Sequence, residues 1–166
     1  MTERLYLIDG PSLLYRAYHA INYLSTSRGV PTHAVFGMST MHWKLLREEQ
    51  PDLIAIAWDA PGPTFRHEAF EAYKIQRPGM PDDLARQIPY VKALFEALRI
   101  PLLEVPGFEA DDILGTLVDR VRDLPLEVVL VTGDKDLLQL VGPKVRVFSQ
   151  TARGERLMFD EAGVRE

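Results

Sequence analysis

Seven carboxylates stand where hydrophobic runs of this sequence end: Asp9, Asp59, the trio Glu109, Asp111 and Asp112, and the pair Asp134 and Asp136. Each group follows a segment that reads as a buried strand, or lies in the turn just past one. In an open α/β sheet such positions meet in one crevice at the carboxyl ends of the strands. Like charges a few ångströms apart raise one another's pKa, so seven acids in one crevice do not all stay ionised unaided. Hard divalent cations resolve that conflict. Mg²⁺ and Mn²⁺ prefer oxygen ligands, and Mg²⁺ keeps several of its waters. Two ions ~3.5–4 Å apart can stabilise both the attacking and the leaving oxygen of a phosphoryl displacement, and seven acids suit two ions better than one.

Spacing refines this expectation. Asp134 and Asp136, two apart in the turn after a strand, can both face the crevice if Gly133 makes that turn tight. Glu109 and Asp112, three apart, are expected to share a face at a helix start, with Asp111 pointing elsewhere or lying in the preceding loop. Single members have plainer roles open to them. Asp111 and Asp112 would favour the positive end of a helix dipole, and Asp134 would serve as an N-cap. The placement of all four groups at strand ends favours a shared metal site.

A second cluster follows Asp59. The stretch Thr64-Phe65-Arg66-His67-Glu68-Ala69-Phe70-Glu71-Ala72-Tyr73-Lys74-Ile75-Gln76-Arg77 mixes basic and aromatic side chains. At ~100° per residue a helix here aligns Arg66, Phe70, Tyr73 and Arg77 on one face, with Lys74 at its flank. Cations interleaved with aromatic rings suit a single nucleic-acid strand, through phosphate contacts and base stacking. The plain alternative is a surface helix whose rings plug into the core. Its place beside the acidic crevice, between prolines and glycines, favours a substrate-gripping element. His19, His33, His42 and His67 have no partner at ligand spacing.

The elements that must position these groups alternate along the chain. Apolar strands are expected at 5–8, 53–58, 102–103, 127–131, 145–148 and 157–159, the run at 53–58 being continuous as in a strand covered on both faces. Helices are expected from Pro11 through Ala17, and at 34–49, 82–98, 110–121 and 135–140. In the third span Leu84, Ile88, Val91, Leu94, Phe95 and Leu98 make the apolar face. Strand–helix alternation argues for an α/β fold, a mostly parallel sheet with helices on both faces.

Composition sets bounds. The 166 residues suffice for one domain with a real core, and 46% hydrophobic with 26% charged residues is ordinary globular composition. No apolar run approaches the ~18 residues of a membrane span, and the N-terminus lacks a signal-peptide layout. Absence of cysteine excludes disulfides, thiolate metal sites and cysteine nucleophiles, and it fits a cytoplasmic protein. The net charge of −5 argues at first against a nucleic-acid partner. Setting aside the seven clustered acids leaves 17 of the 24 acidic residues against 19 basic ones, a nearly neutral remainder.

These segments together resemble the 5′ nuclease domain of bacterial DNA polymerase I, within the flap endonuclease family. The likeness rests on co-linear motifs over nearly the whole chain: Leu7-Ile8-Asp9-Gly10 with Tyr15-Arg16-Ala17; Ser27-Arg28-Gly29 and His33-Ala34-Val35-Phe36-Gly37; Trp58-Asp59; Phe65-Arg66-His67-Glu68 and Tyr73-Lys74; Pro106-Gly107-Phe108-Glu109-Ala110-Asp111-Asp112; and Thr132-Gly133-Asp134-Lys135-Asp136-Leu137. The resemblance implies a PIN-like α/β fold with a helical arch, binding two divalent metals, Mg²⁺ or Mn²⁺. Its implied activity is hydrolysis of DNA phosphodiesters at a free 5′ end or 5′ flap. All seven acids would be metal ligands, direct or through water. Arg66 and Lys74 would contact the scissile phosphate from the arch, with Arg16, Phe70, Tyr73 and Arg77 also against the DNA.

The family continues with a Gly-Asp-x-Ser-Asp-Asn segment and a helix–hairpin–helix-like module, neither of which lies in this sequence. Residues 1–166 are therefore expected to be the catalytic part of something longer, with a polymerase domain following in the parent, a poorly held second metal and low duplex affinity. Other readings are a compact PIN-type ribonuclease, which uses fewer acids and lacks the arch, and a module that binds nucleic acid without cutting. An acid-lined phosphatase is disfavoured because the first strand lacks its DxD.

Overall fold

The computed structural model describes residues 2–70, 79–150 and 155–164, apart from the side chains of His67 and Glu68. Six strands form one sheet in the order β3-β2-β1-β4-β5-β6: β1 Glu3–Asp9, β2 Leu53–Ala57, β3 Leu102–Leu103, β4 Leu126–Val131, β5 Val145–Gln150 and β6 Arg156–Phe159. The first five run parallel, and β6 returns antiparallel on β5. The chain builds outward from β1 through β2 to β3, then returns to lay β4 on the other side of β1. That reversal is the topological switch point of an open α/β sheet, where a crevice opens beyond the strand ends.

Alternation along the strands builds two cores. Tyr6, Ile8, Val129 and Val131 face one side, packed with Leu14, Ala17, Met38, Val91 and Phe95 from helices α1 Gly10–Ala20, α2 His33–Glu49 and α5 Ile88–Ala97. Leu7, Val128 and Leu130 face the other, under Ile113 and Leu114 of α6 Ala110–Arg120 and Leu137 of the 3₁₀ helix Lys135–Leu140. Helices thus cover both faces, as expected. Close approach explains two glycines: a Cβ on Gly10 would collide with the Trp58 ring, and one on Gly37 would lie 2.8 Å from Cβ of Ala17, where α1 and α2 pack.

The helix expected at 82–98 is two helices, α4 Asp82–Ala85 and α5. Pro89 has no N–H to donate to the Ala85 carbonyl, so the turn between them breaks. The break lets Gln87 turn inward, fully buried. Its Oε1 accepts from the Ala34 N–H at 2.8 Å, at the start of α2, where Thr32 offers no side-chain cap. Leu98, expected on the apolar face, is 42% exposed. Between Asp59 and Pro81, α3 covers only Phe65–Ala69. Phe70 continues it by one backbone bond to Arg66 and is exposed; Tyr73, Lys74 and Arg77 lie outside the described residues. Among the described residues no helix is long and apolar enough to cross a membrane.

Candidate metal centre

The site starts at the end of β1. Asp9 lies in register with Ala57 of β2, and its neighbour Ile8 pairs with Val131 of β4. Asp9 is also the N-cap of α1: Oδ1 accepts from the Ser12 N–H at 3.1 Å. Its Oδ2 accepts from the Thr132 hydroxyl at 2.6 Å. Thr132 in turn accepts from the Asp134 N–H at 2.9 Å, and Asp134 Oδ1 accepts from the Asp136 N–H at 2.9 Å, capping the 3₁₀ helix. The N-cap role foreseen for Asp134 alone is therefore real and shared with Asp9. It occupies one oxygen of each and leaves both groups in the crevice.

On the other side Asp59 Oδ1 accepts from the Ala110 N–H at 2.8 Å, tying the β2 end to the start of α6. Six of the seven acids, Asp9, Asp59, Glu109, Asp111, Asp134 and Asp136, line one cleft of about 640 Å³ together with Ser12, Tyr15 and Lys135. Asp9 is 3% and Glu109 8% exposed. Burial pushes the Asp9 carboxyl up, opposed by the bonds from Thr132 and Ser12 and reinforced by Asp134 and Asp59. Burial, then the charges of Asp9, Asp134, Asp59 and Glu109, push Asp111 up to about 6. Crowded carboxylates that resist ionisation are the electrostatic condition a divalent cation relieves. Among the described residues no three acidic or histidine side chains form a ready-made chelating group. The cleft's acidic donors are all oxygens, the ligand type that hard cations prefer.

One expectation is corrected here, while Asp134 and Asp136 both line the cleft as their spacing allowed. Asp111, expected to point away, lines the cleft, whereas Asp112 is turned to Arg66. Both guanidinium nitrogens of Arg66 donate to the Asp112 carboxylate at 2.6 Å, and Nη1 lies 3.5 Å from Glu109 Oε2. Gly133 has no left-handed backbone. It is glycine-sized because a Cβ there would strike the Arg16 guanidinium. That guanidinium is half-buried behind the acids; burial lowers its pKa and the Asp9 charge opposes the shift. Ser12, Thr132 and Lys135 were missed as site residues. The signal was present for the first two: a hydroxyl beside each strand-end turn, able to bond the neighbouring acid or backbone.

Acids from four chain segments, gathered in one cleft where a mostly parallel sheet reverses at β1, define an acid-lined α/β protein. Residues 4–166 match the family model described as the 5′-3′ exonuclease, N-terminal resolvase-like domain. The chain belongs to that family. It is 46% identical over 162 residues to the DNA polymerase I of Pseudomonas aeruginosa, covering 98% of this chain and 17% of that protein. It is 43% identical over 157 residues to the DNA polymerase I of Caldicellulosiruptor bescii, covering 95% and 18%. Against the 5′-3′ exonuclease of Aquifex aeolicus it is 42% identical over 147 residues, 89% of this chain and 51% of that one. The chain thus spans less than a fifth of these polymerases and about half of this exonuclease. The phage T5 5′-exonuclease shares the fold, with a TM-score of 0.67 at 22% identity over 93% of this chain and 58% of that one. So does the catalytic core of Rad2, with a TM-score of 0.51 at 15% identity over 98% and 48%. The PIN-like fold expected from the sequence is the fold observed.

Proposed function

We propose that this chain is the catalytic α/β part of a divalent-metal-dependent 5′ nuclease that hydrolyses DNA phosphodiesters at free 5′ ends or at the base of 5′ flaps. One observation carries the reading: six acids from four separate segments line a single cleft at the switch point of the sheet. Two Mg²⁺ or Mn²⁺ ions are the cations this oxygen-only donor set suits. Bound there, they would supply Lewis acidity, lowering the pKa of a water nucleophile and countering charge on the leaving oxygen.

The chain's own residues do the rest. Asp9 at the end of β1, Asp59 just past β2, Glu109 and Asp111 at the start of α6, and Asp134 and Asp136 after β4 present their carboxylates to the cleft. Lys135 brings a cation to the rim, where a phosphate approaching the acids needs one. Tyr15, 36% exposed, offers a ring face on the same cleft. Lys74, Tyr73 and Arg77, from their sequence positions, with Phe70 and Arg16, are assigned to the DNA strand. A polymerase region following in the parent chain and a cytoplasmic location go with this reading.

The test is incubation with a 5′-flap DNA duplex and, separately, single-stranded RNA, in Mg²⁺ or Mn²⁺ and then in chelator, alongside Asp59→Ala. Flap cutting that disappears in chelator and falls at least a hundredfold in the variant is expected. Cutting of RNA alone, or binding without cutting, would sink the proposal.

A further inference from the structure

By family resemblance Arg66 would reach the scissile phosphate and Asp112 a metal ion. The structure joins them to each other. Nη1 and Nη2 of Arg66 donate to Oδ2 and Oδ1 of Asp112 at 2.6 Å each, a two-pronged fork with side chains 31% and 18% exposed. Asp112 Oδ2 also accepts from the Glu109 N–H at 3.0 Å. The approach of α3 is fixed by further contacts: the Phe65 N–H donates to the Gly107 carbonyl at 3.0 Å, and the Phe65 ring lies 5.6 Å from that of Phe108. The guanidinium itself sits over the Phe65 ring, 4.6 Å from its centre.

Asp112 shares the first turn of α6 with Asp111, and Glu109 immediately precedes it. Side chains one residue apart on a helix diverge by ~100°, so the direction of Asp112 fixes the direction of Asp111. Asp112 is held out of the cleft by Arg66 together with the capping-box bond from the Glu109 N–H, and Asp111 lines the cleft. We infer that Arg66 and Asp112 are a positioning pair, which sets the rotation of the α6 start and so aims Glu109 and Asp111 at the bound cations. Neither touches the reacting atoms. The inference rests on the reading that the cleft binds divalent cations.

Mn²⁺ binding without DNA tests it, by paramagnetic resonance of the free ion, at a temperature where circular dichroism shows every variant folded. The set is Arg66→Gln, Arg66→Lys, Asp112→Asn and the double variant Arg66→Gln/Asp112→Asn. Each single change is expected to weaken Mn²⁺ affinity by about tenfold, within the range for residues that orient metal ligands. Arg66→Lys gives no rescue, because an ammonium cannot reproduce the fork. The double variant binds no more weakly than the poorer single one. Simple electrostatics moves Arg66→Gln the opposite way, since removing a cation favours Mn²⁺, so tighter binding overturns the inference. It is equally overturned if Asp112→Asn alone weakens Mn²⁺ while Arg66→Gln weakens only DNA binding in chelator, or if the two losses multiply. A wild-type protein that binds no Mn²⁺ overturns the cation reading along with it, a failure distinct from the others.

Discussion

The Thr132 hydroxyl donates to Asp9 across 2.6 Å, joining the ends of β4 and β1 over 123 positions of sequence. The same oxygen accepts from the Asp134 N–H, so one small side chain ties the carboxylate that ends β1 to the backbone of the acid that caps the 3₁₀ helix after β4.

Thr132→Val keeps the shape and removes the hydroxyl. It strips a donor from the Asp9 carboxylate and leaves the Asp134 N–H without its acceptor, a loss worth about 1–3 kcal/mol. Urea unfolding should show a drop of that order, and Mn²⁺ affinity should fall about tenfold. Thr132→Ser, which retains the oxygen, should recover most of both. Equal behaviour of the two variants would show that the hydroxyl is idle.

A second prediction concerns pH. His42 is 1% exposed; its Nδ1 lies 2.9 Å from the Met38 carbonyl, and among the described residues its Nε2 has no hydrogen-bond partner. Burial lowers its pKa from 6.5 to about 4, the backbone bond opposing only in part. The unfolded ring takes up a proton near 6.5 while the folded ring does not, so stability is lost as pH falls from about 6.5 to 4. The loss is at most about 3 kcal/mol. His42→Leu, which fills the space beside Phe95 without a titrating group, should flatten this part of the stability curve. An unchanged slope in that variant would move the cause elsewhere.

Gly133→Ala should force the Arg16 guanidinium off the turn. The obstacle is the far end of a flexible side chain, so a cost of only about 1 kcal/mol is expected. DNA binding, to which Arg16 is assigned, should weaken with it. In the Arg16→Ala background the same glycine change should cost almost nothing, and calorimetric melts of the four proteins would show whether the two losses fail to add.

Which acids gather was legible in the sequence, because each ends an apolar run and parallel strands deliver their ends to one edge. The mostly parallel sheet with helices on both faces followed from the same runs, whereas the strand order, with β4 returning to the far side of β1, did not. How the acids are aimed was not legible. Asp112 carried one local sign, its place three residues after Glu109 in a capping box, but its fork to Arg66, 46 positions away, had none. The break at Gln87 had a local sign in Pro89, but the apolar spacing across 82–98 concealed it. The buried amide that caps α2 from 53 positions away had none.

Asp9 ends β1, Asp59 lies two residues past β2 and Thr132 directly follows β4, and the hydrogen-bonded ladder of these neighbouring strands keeps them about 4.8 Å apart. The ruler that sets the distance between donors is therefore the backbone itself, buried under helices on both sides. Changes in the outlying loops can tilt or shield individual oxygens, but they cannot stretch the gauge on which the centre is laid out.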